Sequence, residues 1–347
     1  MLPSEHITWY ENDERIYPAH FHGASLMDIL LARNIDSHYF LKNTCLFYDD
    51  VLRGAVHLNA QQFCQIIENS KMLYQLPELS FRWGHGMFPG HFDGYSQLLC
   101  HASNIRELAN IFMKYPTLTP MLGLSVWEDN NTVYFQWRDA IGLGSSHKFV
   151  IEAFTTAFIS LINWCFSEKL PWRYGFSFSE PKYLEEYDVN LGDDIQFSLG
   201  IDVMMLDKNW LDKPFPSSRR NLGSHAALTM AHRQCNEIIE KSGFIEAVLN
   251  VLKVKAPNIL SLIETADEFN MSSATFKRKL KKHGWSFQRL QDQARLQVSL
   301  YLMQAKGFSN SELADFLNIA DANNFRRAFK RWSGMTPTTI REKFICS

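Results

Sequence analysis

The stretch Phe325-Arg326-Arg327-Ala328-Phe329-Lys330-Arg331 decides how the C-terminal part of this 347-residue chain is interpreted. Nearly the same heptad occurs earlier in the chain, as Phe276-Lys277-Arg278-Lys279-Leu280-Lys281-Lys282. In both heptads the two bulky apolar residues lie four positions apart, so on a helix they share one face while the cations point elsewhere. A short helix that buries one edge and exposes Lys and Arg is typical of a helix that reads a DNA groove.

Both heptads follow a predicted helix and a short turn. Upstream of the first heptad, the apolar residues from Ile259 to Phe269 have helical spacing, and Asn270 can adopt the left-handed conformation that ends a helix. Ser272 or Ser273 can then cap the basic helix. The order of helix, turn and basic helix predicts a helix-turn-helix unit.

The second heptad has the same context. Ser309 and Glu312 form a predicted capping box, Asn318 ends the helix that follows, and Asp321 caps the next one. A long helix predicted over Phe287 to Met303 joins the two units, whose heptads begin 49 residues apart. Two such units joined by a rigid helix can address successive major-groove faces, which lie about 34 Å apart.

Formal charge is distributed unevenly along the chain. Residues 250–347 hold 16 Lys and Arg against 8 Asp and Glu, whereas residues 1–249 hold 19 against 29. The two parts therefore carry net charges of +8 and −10. A basic C-terminal module on an acidic body indicates nucleic-acid contact by that module alone. Chance surface composition is the alternative, and the duplicated heptad favours the DNA-binding interpretation.

The N-terminal part predicts a mixed α+β fold. Apolar residues at helical spacing indicate three long helices, over 59–76, 95–115 and 150–166. Four strand-like runs are expected, at 122–128, 132–138, 173–178 and 194–202. The first two flank Asp129-Asn130-Asn131 and predict a β-hairpin. Helices mixed with antiparallel strands indicate an α+β sensor domain rather than a doubly wound parallel sheet.

These patterns divide the chain into three parts. We predict an N-terminal α+β ligand-sensing or oligomerisation domain over 1–240, a linker over 241–257, and an all-α DNA-binding domain with two helix-turn-helix motifs over 258–347. A predicted helix from His225 to Lys241 precedes the linker, and the Lys-Ala-Pro-Asn sequence at 255–258 breaks helix where the charge changes sign.

The second unit carries a signature of a known family. The motif Glu312-Leu-Ala-x-x-Leu317…Asn324-Phe325-x-Arg327-Ala328-Phe329-Lys330-Arg331-Trp332-x-Gly334-Met-Thr336-Pro337…Arg341 closely resembles the C-terminal signature of AraC/XylS-type transcription regulators. More loosely, Phe176-Ser-Phe178…Pro181-x-Tyr183…Tyr187 and Trp210-Leu-Asp-x-Pro214-Phe-Pro216 resemble the sensor domain of the arabinose-binding branch of that family. Asn318-Ile319 stands where the family usually has Gly-Phe, and Asn tolerates the left-handed conformation of this turn.

The resemblance implies that both basic helices contact DNA. By position, base reading falls on six residues: Ala274, Lys277, Arg278, Asn323, Asn324 and Arg327. Arg can bond guanine, and Asn adenine, through two hydrogen bonds, worth about 1–3 kcal/mol of discrimination. Five further cations suit phosphates, which position a protein without reading sequence: Lys281, Lys282, Arg326, Lys330 and Arg331. The alternative for each cation is a solvated surface position or an ion pair with a carboxylate.

The sequence shows no residue pattern typical of a metal site, a cofactor site or an enzyme active site. Four histidines lack recognised metal-ligand spacing: His20, His22, His85 and His91. Six cysteines are scattered, as in reduced cytosolic proteins, and form no cluster like that of the metal-dependent DNA-repair methyl acceptors of this superfamily: Cys45, Cys64, Cys100, Cys165, Cys235 and Cys346. No apolar run reaches the roughly 20 residues that span a bilayer, and no signal pattern opens the chain, so we expect no membrane partner.

Together these features predict a cytoplasmic, sequence-specific DNA-binding transcription regulator that is not an enzyme. Its expected partner is double-stranded promoter DNA, with RNA polymerase, a small-molecule effector and a second copy of the chain as further candidates. The sequence does not decide the effector, the residues that hold it, the promoter, or activation against repression. An N-terminal domain that only dimerises the protein is an alternative to a sensor.

Overall fold

The computed structural model describes residues 8–54, 56–119, 121–216, 222–236, 242–258 and 260–345. Three residues used in the sequence analysis, Lys241, Ile259 and Cys346, lie outside these ranges. The helices of the N-terminal part are α1 (His22–Leu31), α2 (Ser37–Phe40), α3 (Tyr48–Leu52), α4 (Ala60–Tyr74), α5 (Leu79–Met87), α6 (Gly94–Cys100), α7 (Ile105–Lys114), α8 (His147–Phe166), α9 (Leu184–Asn190) and α10 (Leu222–Asn236).

The C-terminal part is helical. Its helices are α11 (Phe244–Val254), α12 (Leu262–Glu268), α13 (Ser273–Lys282), α14 (Phe287–Ala305), α15 (Asn310–Phe316), α16 (Ala322–Ser333) and α17 (Pro337–Ile345). The strands of the chain are β1 (Trp9–Tyr10), β2 (Tyr17–Pro18), β3 (His57–Leu58), β4 (Leu122–Glu128), β5 (Thr132–Asp139), β6 (Arg173–Gly175), β7 (Ile195–Gln196), β8 (Asp202–Asp207) and β9 (Ser242–Gly243).

A five-stranded sheet forms the centre of the N-terminal domain. Its strand order is β4-β5-β8-β6-β7, antiparallel except for the parallel pair of β6 and β7. The predicted hairpin of β4 and β5 is confirmed, with Leu122 opposite Asp139 and Glu128 opposite Val133. Helices around an antiparallel sheet confirm the predicted α+β class, and the helical part that follows confirms the predicted all-α domain with two helix-turn-helix motifs.

Helix α8 is the core helix of the N-terminal domain. Its Phe158 ring packs against Phe135, and its Phe154 ring against Trp137, both on β5. Contrary to the expectation from the sequence, the segment 144–166 is long and apolar enough to cross a membrane. However, 83% of its apolar window is buried inside the protein, so the hydropathy of this helix reflects core packing.

Three elements predicted in the N-terminal domain are wrong in extent, and one of them is the strand predicted over 173–178, which is a strand only over Arg173–Gly175. The helix predicted over 95–115 is two helices, because Asn104 starts a new one by accepting a hydrogen bond from the Glu107 N–H at 2.9 Å. The strand predicted over 194–202 pairs only within β7, because Ser198 and Gly200 have φ of 60° and 70° and turn the chain. A separate strand, β8, begins at Asp202, and the sequence patterns did not predict it.

Strand β8 is buried on both faces. Met204 and Leu206 face the helices of the N-terminal domain, whereas Val203 and Met205 face the C-terminal domain. A strand with one wet face alternates apolar and polar residues, but a strand covered on both faces does not. Because both faces of β8 are covered by protein, its sequence does not show the alternation of apolar and polar residues that identifies a half-exposed strand.

Helix α11 lies within 241–257, the segment predicted as a linker. Its Phe244, Val248 and Leu252 share a hydrophobic cluster with Phe276 and Leu280 of α13. The predicted domain limits remain predictions, but α11 packs as part of the core of the first helix-turn-helix unit.

The two domains share a second hydrophobic cluster. The N-terminal domain contributes Ile201, Val203 and Met205, and the second helix-turn-helix unit contributes Phe325 and Phe329. The two backbones also approach closely beside this cluster. A Cβ placed on Gly200 would lie 2.3 Å from the carbonyl oxygen of Ser333, at the end of α16.

We expect Gly200→Ala to weaken this domain contact, because the added methyl group forces one backbone to move. Gly307 is a matched control, since its φ of 69° is close to the 70° of Gly200 and a Cβ there would meet nothing within 4 Å. Gly307→Ala therefore carries only the backbone strain, on the order of 1–3 kcal/mol.

Thermal unfolding followed by circular dichroism compares the two variants. We expect the Tm of Gly200→Ala to lie at least about 2 °C below that of Gly307→Ala, which corresponds to one additional kcal/mol in a chain of this size. Equal Tm values would contradict the close approach of Gly200 to Ser333.

Candidate nucleic-acid interface

Helix α13 has the local geometry predicted for the first recognition helix. Asn270 ends the preceding turn with φ of 53°, and Ser272 caps α13 by accepting a hydrogen bond from the Thr275 N–H at 3.2 Å. Phe276 and Leu280 are buried, so the apolar edge of the heptad faces the core. Both predicted turn and cap are confirmed.

Helix α16 repeats this arrangement in the second unit. The capping box of Ser309 and Glu312 starts α15, and Asn318 follows α15 with φ of 56°. Asp321 then caps α16 by accepting the N–H groups of Asn323 and Asn324, each at 2.8 Å. Asn318 therefore supplies the left-handed turn where the family signature usually has Gly.

All eleven residues predicted to contact DNA are exposed: Ala274, Lys277, Arg278, Lys281, Lys282, Asn323, Asn324, Arg326, Arg327, Lys330 and Arg331. Exposure is what DNA contact requires, and their individual roles remain predictions. Among the described residues, no ion pair within 4.0 Å holds Lys277, Arg278 or Arg327. The chemically best base readers are thus available to a ligand.

Three of the eleven have partners inside the protein. The Asn324 amide donates to the second carboxylate oxygen of Asp321 at 2.9 Å, and Arg331 lies 3.4 Å from the carboxylate of Asp292. The Lys282 ammonium lies 2.6 Å from Glu11 and 2.7 Å from Asp13. The sequence predicts a phosphate contact for Lys282, whereas in this structure two carboxylates bind its ammonium group.

An acidic turn at residues 11–13 makes these contacts with α13. The Glu11 carboxylate also binds Lys279, and the Asn12 amide donates to the Lys282 carbonyl oxygen at 3.3 Å. Strand β1, directly before the turn, pairs with β9, and Trp9 packs edge-on against Phe269. The segment from residue 9 to residue 13 is thus anchored on the first helix-turn-helix unit. The sequence patterns above did not predict this turn, whose local signal is the acidic run from Glu11 to Glu14.

Glu11 is an unusual carboxyl because it is mostly buried between two cations. Burial alone would raise the pKa of Glu11, but hydrogen bonds from Lys279 and Lys282 outweigh burial and hold that pKa below its ordinary value of 4.5. A carboxyl with a lowered pKa in the folded state stabilises the fold above its unfolded pKa, and this stability is lost as the pH falls through the folded pKa.

We therefore expect Glu11→Gln to lower stability at neutral pH by about 1 kcal/mol, the usual size for partly exposed ion pairs. The difference from the wild type should shrink as the pH falls below 4.5 and disappear below the folded-state pKa of Glu11, where Glu11 is neutral in both states. Urea unfolding across the acid range in which the wild type stays folded measures this difference.

Glu168→Gln is the control for the Glu11 experiment. Glu168 is exposed and has no ion pair among the described residues, so its replacement should leave stability unchanged at neutral pH and at acid pH. A stability loss in Glu11→Gln that is independent of pH would show that the ion pairs with Lys279 and Lys282 are not its cause.

A buried carboxyl on α8 is a further polar feature that the sequence analysis missed. Glu152 is 1% exposed and accepts hydrogen bonds from Ser80 at 2.7 Å, Tyr183 at 3.0 Å and Tyr187 at 2.5 Å. Burial raises the pKa of Glu152, although the hydroxyl groups oppose this rise. The two tyrosines of the family-like run therefore hold a buried carboxyl. Its sequence signal was a lone Glu within the most apolar stretch of the chain.

The histidines singled out in the sequence are spread through the N-terminal domain. His22 is buried and packs against the rings of Phe92 and Phe154, and His85 lies 2.7 Å from Asn190. Within the described ranges, no group of three or more His, Cys, Asp or Glu is placed to hold a metal ion.

Two family models match the chain. One, described as the arabinose-binding domain of AraC transcription regulators at the N-terminus, matches residues 35–215. The other, described as a helix-turn-helix domain, matches residues 265–343. The second match includes both recognition helices, and the first covers the central sheet and α8.

Individual relatives are transcription regulators. The chain is 24% identical to the ornithine utilization regulator of Pseudomonas aeruginosa over 255 residues, which cover 72% of this chain and 73% of the relative. It is 30% identical to the HTH-type transcriptional regulator VqsM of the same species over 124 residues, covering 34% of this chain and 37% of that one.

Among solved structures, the transcriptional regulator CdpR of Pseudomonas aeruginosa covers 95% of this chain and all of that chain, with a TM-score of 0.45 and 15% identity. The N-terminal family model alone spans more than half of the 347 residues, and the helix-turn-helix model covers the basic module beyond it. The chain therefore belongs to the AraC family of transcription regulators, in the branch with an arabinose-binding-type N-terminal domain.

Proposed function

We propose that this regulator binds promoter DNA through both recognition helices at once and responds to a small-molecule effector held outside them. The observation that supports this proposal is the pair of capped helices, α13 and α16, which bury their apolar edges and expose their basic faces. Helix α14 joins the two units as one continuous helix of 19 residues. A continuous helix fixes the separation of two units better than a loop does.

In this proposal the eleven exposed residues divide by chemistry. Arg278 and Arg327 read guanine, and Asn323 and Asn324 read adenine, with Ala274 and Lys277 beside them. The remaining cations bind phosphates and set the register of the protein on the duplex. Lys282 can do so only after it exchanges the carboxylates of the acidic turn for phosphate.

The other partners are proposals of the same kind. The N-terminal family model describes an arabinose-binding domain, which supports a small-molecule effector. One relative is named for ornithine utilization, and this name describes the relative, not the present chain.

We propose that the protein acts in the cytoplasm without enzymatic activity, contacts RNA polymerase at the promoter, and can form a homodimer. Two DNA readers in one chain mean that DNA binding does not require the dimer. An N-terminal domain that serves only in dimerisation is the alternative.

We expect Arg278→Ala and Arg327→Ala each to weaken binding to the preferred duplex by about 1–3 kcal/mol, roughly 5- to 150-fold. The preferred duplex is the sequence that the full-length protein enriches from random double-stranded DNA. Fluorescence anisotropy measures affinity for this duplex and for a scrambled duplex. Loss of discrimination between the two is expected, because each arginine contributes base contacts.

Lys281→Ala is the matched control on the same helix. Because Lys281 is assigned to a phosphate, its loss should weaken both duplexes equally and reduce the salt dependence by about one counterion. Far-UV circular dichroism verifies that all three variants stay folded. Unchanged affinity and discrimination in both arginine variants would overturn the assignment of α13 and α16 as recognition helices.

A further inference from the structure

A carboxylate of the linking helix holds one cation of the second recognition helix. Arg331 Nη2, in the last turn of α16, lies 3.4 Å from Oδ1 of Asp292 on α14. Among the described residues, the other cations of α16, Arg326, Arg327 and Lys330, have no carboxylate within 4.0 Å. Arg331 follows Arg327 by four positions, so the two side chains leave the helix on the same side. A cation next to the predicted base reader is therefore bound by the protein itself.

The Asp292 carboxylate has two more partners on its own helix. Its Oδ1 accepts a hydrogen bond from Gln288 Nε2 at 2.9 Å and lies 3.7 Å from Arg295 Nη1. The side chain of Asp292 is 21% exposed and that of Arg295 25%, against 65% for Arg331. Because Gln288 and Arg295 lie within one turn of Asp292, they keep the carboxylate in place. Arg331 is the partner that is free to leave.

Arg295 and Arg331 carry like charges on either side of Asp292. Burial lowers the pKa of Arg295, the Asp292 carboxylate opposes this fall, and the charge of Arg331 adds to it. One carboxylate between two guanidinium groups offsets their repulsion. If that negative charge were removed, the more buried Arg295 would repel Arg331 toward the solvent. The charge of Asp292 therefore keeps Arg331 against the protein surface.

The equivalent position in the first unit has the same arrangement. Arg331 is the seventh residue of its heptad, and Lys282 is the seventh residue of the other heptad. Lys282 is bound by two carboxylates of the acidic turn, at 2.6 and 2.7 Å. In each unit the carboxylates come from outside the two helices of the helix-turn-helix. Both recognition helices thus have their last cation paired, whereas Arg278 and Arg327 have no ion pair within 4.0 Å among the described residues.

This pairing affects DNA binding, because a phosphate competes with Asp292 for Arg331. A cation that neutralises a phosphate releases counterions, and this contribution to affinity does not depend on base sequence. To bind a phosphate, Arg331 has to leave Asp292, and the carboxylate left behind then repels the same phosphate. The cost falls on the sequence-independent part of the affinity and leaves the hydrogen bonds to bases unchanged.

We propose that Asp292 is a positioning residue that holds Arg331 away from the DNA backbone and thereby lowers the affinity of the regulator for every duplex. The inference rests on the proposed function, because it assumes that α16 lies on DNA. It adds a residue of the linking helix, outside both recognition helices, that limits how many phosphates α16 neutralises. Weaker sequence-independent binding shortens the time spent on the many competing sites of a genome.

Asp292→Asn in the full-length protein tests the proposal, because the amide has the shape of the carboxylate without its charge. Fluorescence anisotropy measures affinity for the enriched and the scrambled duplex from about 50 to 200 mM salt. We expect both duplexes to bind about threefold more tightly at the lowest salt, the size expected for an exposed ion pair. The plot of log K against log salt should steepen by about 0.9, the value for one phosphate. Asp292→Glu, which restores the charge, should return both quantities toward the wild type.

Arg331→Gln shows whether Arg331 carries the effect. In the Asp292→Asn background it should remove the gain in affinity and in salt dependence, whereas in the wild-type background its effect should be smaller. Asp315→Asn is the charge-matched control, because Asp315 is exposed on α15 and has no ion pair among the described residues. Its salt dependence should equal that of the wild type. Far-UV circular dichroism verifies that every variant is folded.

Unchanged or weaker DNA binding by Asp292→Asn would refute the proposal. An equal gain in Asp315→Asn, or a gain that persists after Arg331→Gln, would refute it as well. Arg278→Ala and Arg327→Ala are measured on the same two duplexes. If both keep their affinity and discrimination, the proposed function fails, whereas their loss of discrimination beside an unchanged Asp292→Asn refutes only the role of Asp292.

Discussion

The structure depends most on one apolar contact, the packing of the second helix-turn-helix unit against the outer face of the N-terminal sheet. Val203 and Met205 of β8 lie in one hydrophobic cluster with Phe325 and Phe329 of α16. Burial of large apolar side chains is the dominant favourable term in domain association. Because this cluster joins the sensor sheet to a recognition helix, the second DNA reader has a fixed place relative to the N-terminal domain.

The first helix-turn-helix unit is held in a different way. Beside the packing of Trp9 on Phe269, this unit makes several polar contacts with N-terminal segments: the acidic turn binds Lys279 and Lys282, His283 bonds the Ile141 carbonyl oxygen, and Arg138 pairs with Glu246. Water or phosphate can replace polar partners, whereas a packed apolar cluster has no such substitute. The polar contacts of the first unit are therefore the ones that a competing charge can exchange.

The sequence by itself determined the local structure of the DNA-binding units. Caps at Ser272 and Asp321, left-handed turns at Asn270 and Asn318, and the exposed faces of both heptads follow from interactions within a few residues, which propensity and periodicity report. The hairpin of β4 and β5 followed for the same reason.

Only the tertiary structure decided what meets across long sequence distances. Strand β8 escaped detection because a second domain covers its outer face, and the Glu11 contact with Lys282 joins residues 271 positions apart. The buried carboxyl of Glu152 and the buried ring of His283 are recognisable only through their burial and partners. Burial and pairing are properties of the packed chain, and a single sequence contains no local pattern that encodes them.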